Sequence, residues 1–122
     1  MATQTVETTM AERIKDHLLQ AWQAGHGGQA DKAHLLQSEE GLALMIPKGL
    51  LQAEIDLSRQ AGAGTRVIHN YVRELLHLVS IDLIELVEEF SQRRVDDVVP
   101  LVDLRAGWVI AFFRFKMETV QQ

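Results

Sequence analysis

The chain has 122 residues, 12 Lys and Arg against 17 Asp and Glu for a formal net charge of -5, 47% hydrophobic and 24% charged residues, and no Cys. At this length a chain buries roughly two-thirds of its unfolded surface, so one globular domain with one core is expected without disulfides or metal. The lack of Cys excludes disulfide scaffolds, thiol catalysis and cysteine metal sites together. The acidic balance argues against nucleic acid and anionic membranes as partners, because both are bound by clustered Lys and Arg.

Residues 1–8 are polar and lack the charged-then-apolar order of an export signal, so they are expected to form a flexible N-terminus. The uncharged stretch from Ala106 to Phe113 is far shorter than the roughly twenty residues a spanning helix needs. A cytoplasmic protein without direct membrane insertion follows as an expectation, with a domain over 9–116 and a tail over 117–122.

Thr9 and Glu12 stand at capping-box spacing and predict a helix start. Met10, Ile14, Leu18, Ala21 and Trp22 then draw one apolar stripe, and Gly25, Gly27 and Gly28 end it. Two short apolar runs, Ala33–Gln37 and Leu42–Ile46, flank Ser38-Glu39-Glu40-Gly41 and predict a hairpin with Gly41 at a bulge position. Leu50–Gln60 reads as a short helix interrupted by Ala61-Gly62-Ala63-Gly64.

The longest periodic signal runs from Thr65 to about Gln92. Ile68, Val72, Leu75, Val79, Leu83, Leu86 and Phe90 step by four or three, close to the 3.6 residues of an α-helical turn, and predict one continuous central helix. Arg66, Asn70, Arg73 and His77 make its other face polar, yet Ile81 and Ile84 also fall there. Val95–Val102 predicts a strand with Pro100 inside it, hence an edge or a bulge. Trp108–Phe115 is apolar on both faces, which predicts a central strand with cover on both sides. The order helix, strand, strand, helix, strand, strand defines an α+β domain: a four-stranded, mainly antiparallel sheet packed by the central and N-terminal helices.

Chemistry-bearing patterns are sparse. The histidines are His17, His26, His34, His69 and His77. The last two lie eight residues apart on the predicted helix, about 12 Å at 1.5 Å per residue, too far to share one ion, so neither a metal nor another cofactor is expected. Glu85, Glu88 and Glu89, with Asp96 and Asp97, read as a solvated acidic face, and no nucleophile elbow surrounds any serine, so no enzyme is expected. Gly64, Thr65 and Arg66 form the candidate anion site, since glycines permit close backbone approach and a helix start offers free N–H groups. An interhelix turn capped by Thr65 explains the same residues. Arg73, His77, Ile81 and Ile84 are the candidate partner surface, and the two isoleucines, opposite the core stripe, predict a homodimer or larger assembly held partly by this helix.

Several of these residues give the chain a resemblance to the MpsC family, small bacterial domains named for a sodium-translocating, membrane-potential-generating system linked to inorganic-carbon uptake. The resemblance spans Ala11 to Lys116. Leu50-Leu51-Gln52-Ala53-Glu54 resembles the family's Leu-Thr-Pro-x-Glu segment, Gly64 its glycine before the long helix, Arg73 its helix arginine, and Val109–Phe115 its closing strand. Gln52 stands where the family tends to have Pro, and Ile55 where Lys is usual. The resemblance implies a non-enzymatic accessory or regulatory protein that acts through protein contacts, with a membrane transport protein as a possible partner. The residue-level alternative is a sensor of an anion or other small molecule. From the histidine spacing, elemental analysis of the purified chain should find no stoichiometric zinc or iron; one such ion per chain would contradict it.

Overall fold

In a computed structural model, residues 2–28, 30–60 and 62–117 are described, without side chains for 2–8, 62 and 63. The elements are α1 (Ala2–His26), β1 (His34–Gln37), β2 (Gly41–Ile46), α2 (Gln52–Gln60), α3 (Gly62–Ile81), α4 (Ile84–Ser91), β3 (Val95–Asp103) and β4 (Trp108–Phe115). The strands form one antiparallel sheet in the order β1-β2-β4-β3. The fold is α+β, as the element order implies. The tail residues 118–122 lie outside the described residues.

α1 begins at Ala2 and not at Thr9, so the backbone of 2–8 is helical where a flexible terminus was expected. Residues 2–8 contain neither Gly nor Pro, and an established helix propagates at little cost through such a segment. At the other end Gly27 takes φ +84° and its N–H donates to the Gln23 carbonyl at 2.9 Å, a left-handed stop.

The hairpin forms as expected, but Gly41 serves space and not a bulge. A Cβ there would stand 2.4 Å from the Phe112 ring and 2.6 Å from the Phe113 carbonyl. β3 is the edge strand that Pro100 demands, and it also carries a register shift between Val95 and Asp97. β4 lies centrally between β2 and β3. Asp103 closes their connection by accepting from the N–H groups of Arg105 and Ala106 at 3.0 and 3.1 Å, while Gly107 adopts φ +78°.

The predicted continuous helix is two helices. The Leu83 N–H donates to the Ser80 carbonyl at 2.9 Å, a tight i to i+3 turn, and α4 starts afresh behind Leu83. The fully buried line is Val72, Leu76, Ser80, Leu83 and Val87, one position away from much of the expected stripe, with Leu75 and Val79 half-buried beside it. This break also corrects the reading of Ile84. It turns Ile84 inward, where it packs half-buried against the core, while Ile81 stays exposed.

The core lies between the helices and one face of the sheet. Ile14, Leu18 and Trp22 of α1 and the α3–α4 line meet Leu42, Leu44, Ile46, Val109, Ala111 and Phe113. Strand register puts Ala43, Met45, Val99, Leu101, Trp108, Ile110 and Phe112 on the opposite face with Leu36, and none of these belongs to the core or its half-buried surround. The two-sided cover expected of β4 is therefore supplied on one side only among the described residues.

The Ser80 hydroxyl is fully buried and has no partner among the described residues. Because a buried unpaired hydroxyl is unfavourable, Ser80→Ala should raise unfolding free energy by about 1 kcal/mol, whereas Leu76→Ala should lower it by about 3 kcal/mol through an empty core volume. Urea titrations of both variants check the pair.

Candidate functional site

The polar centre of the molecule is built by one turn of α1. Trp22 and His26 stand four residues apart and therefore on one helix face, and their rings stack at 4.3 Å between centroids and 18° between planes. The indole Nε1 donates to the Gly49 carbonyl at 2.8 Å, and the Gly49 N–H donates to the Gly107 carbonyl at 2.8 Å. One α1 side chain thus reaches the loop after β2, which in turn holds the β3–β4 turn. Gly49 must be small, because a Cβ would lie 2.7 Å from Val109 Cγ2.

His26 completes the arrangement. Its Nε2 lies 2.8 and 2.9 Å from the two carboxylate oxygens of Glu54, and since a carboxylate only accepts, Nε2 carries the shared hydrogen. Glu54 Oε1 also accepts from the Leu51 N–H at 2.9 Å. Leu51 is the residue before α2 and Glu54 the third helical one, so the carboxylate caps its own helix as it pairs with α1. The His26 side chain is fully buried and its Nδ1 has no partner among the described residues; a Cβ on Gly28 would stand 3.0 Å from it.

A cavity of about 450 Å³ opens beside the α2 start, lined by residues that include Lys48, Leu51, Gln52, Ile55 and Gly107. Neither His26 nor Glu54 lines it. A carboxylate-oriented imidazole is two-thirds of a nucleophilic triad, but the Ser58 hydroxyl, one turn after Glu54 on α2, donates to the Ile55 carbonyl at 2.7 Å. The arrangement is a clamp between elements.

The residues of the candidate anion site come together at the α2–α3 corner. The helix start lies at Gly62, earlier than Thr65, so Gly64 and Thr65 fall in the first turn. Gly64 lacks a Cβ where one would sit 2.7 Å from the Leu57 carbonyl, and the Thr65 hydroxyl donates to the Ser58 carbonyl. Both contacts close the corner. Arg66 is exposed.

Of the candidate partner surface, Arg73 and Ile81 are exposed, His77 is half-buried and Ile84 packs inward. The exposed apolar residues on α3 are Val67, Tyr71, Leu78 and Ile81, each 43 to 64% exposed, with the exposed Glu74 between Tyr71 and Leu78 on the same face. Tyr71 and Leu78 were not singled out by sequence, because the central helix read as continuous shifted the expected stripe.

The acidic groups separate. The Glu88 carboxylate accepts from the Val95 N–H at 2.8 Å and ties α4 to β3, while Asp97 pairs with Arg114 through bonds of 2.9 and 2.6 Å. The hydrogen bond and charge of Asp97 raise the already high pKa of Arg114, which stays cationic at any working pH. Among the described residues no three of His, Asp and Glu converge as a metal site would require, and no helix is long and apolar enough to cross a membrane. Compared with known protein families, with curated proteins and with solved structures, the chain finds no match.

The clamp should behave as one unit. His26→Ala and Glu54→Ala should each lower unfolding free energy by about 3 kcal/mol, as removal of one member of a buried pair does. The double variant should lose about 2 kcal/mol less than their sum, measured by a denaturant double-mutant cycle.

Proposed function

We propose that the chain is a non-enzymatic accessory or regulatory protein that acts through protein contacts, with a membrane ion or inorganic-carbon transport system of the kind the MpsC resemblance implies. The observation that carries this reading is the outward line on α3. A helix with Val72 and Leu76 fully buried on one side and Val67, Tyr71, Leu78 and Ile81 open on the other, around the exposed Glu74, has more apolar surface than its own domain uses. Arg73 and His77 lie beside that line and supply polar contacts at its margin. The interior of the domain adds support, since its buried His26–Glu54 pair is spent on joining helices and not on a cleft.

A second reading, a small-molecule or anion sensor, rests on the cavity beside Lys48. The two make different demands on experiment. Under the first, immobilised chain should retain a transport subunit from solubilised membranes, and Tyr71→Glu with Leu78→Glu should abolish that retention while leaving the circular dichroism unchanged. Under the second, bicarbonate or phosphate at millimolar concentration should raise the melting temperature of the unmodified chain, and Lys48→Ala should remove the rise.

A further inference from the structure

We infer that the open face of the sheet is covered by a second copy of this chain, sheet against sheet, in a two-fold dimer. This goes beyond the contact surface on α3 and uses the opposite side of the molecule.

All helix packing falls on one face of the sheet, as the composition of the core shows. The other face has Met45, Ile110 and Phe112 at its centre, Trp108 with the His34 ring stacked against it at one end, and Leu36 and Leu101 on its flanks, the last two 64 and 48% exposed. An antiparallel sheet can leave one face in water when that face alternates to polar residues; here the alternation yields a second apolar set. Four strands at about 4.8 Å and three side-chain rows at about 6.8 Å give a plan of roughly 19 by 20 Å. With side-chain relief, two such faces would bury roughly 1,000 Å², the area from which specific interfaces begin.

Charge selects the occupant and its orientation. The apolar rows end on Arg114, paired with Asp97, at one end of β4 and on Trp108, beside Asp103, at the other. A two-fold axis across the strands lays each strand over the same strand of the second copy, end reversed. Arg114 of one copy then meets Trp108 and Asp103 of the other, a cation over an indole with a carboxylate beside it. An axis along the strands would instead lay β4 over β2 and β3 over β1 of the second copy, setting Arg114 against the Gly41 end of β2. The first arrangement superposes the apolar rows of like strands, and Arg114 of each copy then lies between two carboxylates, its own Asp97 and Asp103 of the second copy, which the same reversal brings together.

The test is sedimentation equilibrium of the full chain from 1 to 100 µM. Twice the 13.8 kDa chain mass is expected, and a monomer throughout that range would overturn the inference. Leu36→Lys and Leu101→Lys stand at positions already exposed in the folded chain, so the double variant should fold and should weaken self-association at least tenfold. Tyr71→Glu with Leu78→Glu, which tests the α3 surface, should leave it unchanged. A dimer lost by the α3 pair and kept by the sheet pair would place the interface on the helix and overturn the proposal. Because the chain has no Cys, Leu36→Cys takes a single spin label, and label pairs within about 20 Å are expected for sheets stacked about 10 Å apart with like strands superposed. Longer distances would exclude this packing. The two proposals fail separately: capture of a transport subunit by a monomer would uphold only the α3 reading.

Discussion

Glu54 holds the ends of two helices in register. Its carboxylate accepts from its own helix at Leu51 and from His26 on another helix, so the start of α2 cannot move without breaking the end of α1. Trp22, one turn earlier, carries the same restraint to Gly49, and Gly49 passes it by backbone to Gly107. Two connections that lie far apart in the chain, the β2–α2 loop and the β3–β4 turn, are thereby fixed to a single helical turn. The hydrogen bonds are buried, where their loss leaves polar groups that nothing else satisfies.

Two of the residues that carry the MpsC resemblance serve the packing of helices. Glu54, the acid of the Leu-Leu-Gln-Ala-Glu segment, is the clamp itself, and Gly64 permits the close approach of α3 to the Leu57 carbonyl. Arg73 is different, since it is exposed on α3. Two apolar surfaces lie open, on α3 and on the bare sheet face, on opposite sides of the core.

The element order, the strand pairing and the edge position of β3 were legible in sequence because each rests on local periodicity or on one residue with a fixed preference, such as Pro100. The break at Asp82–Leu83 was not, since it contains no Gly or Pro and the heptad-like stripe runs through it with only a change of phase. Gly41 looked like a turn residue, and its true reason is the Phe112 ring from a strand some seventy residues away. His26 appeared in the sequence only as one of five histidines. The spacing of Trp22 and His26 and the place of Glu54 at the third helical position were both visible, but nothing local says that two such helix ends meet.

The edge strand has a consequence for how copies of this chain can associate. β1 is only four residues long, and β3 combines an irregular register at Asp96 with a proline that lacks an amide hydrogen. Neither margin offers the unbroken ladder of donors and acceptors that an incoming strand would extend. Growth by strand addition into fibres is discouraged at both borders. Copies of this chain are thus steered away from an open polymer of continuous sheet.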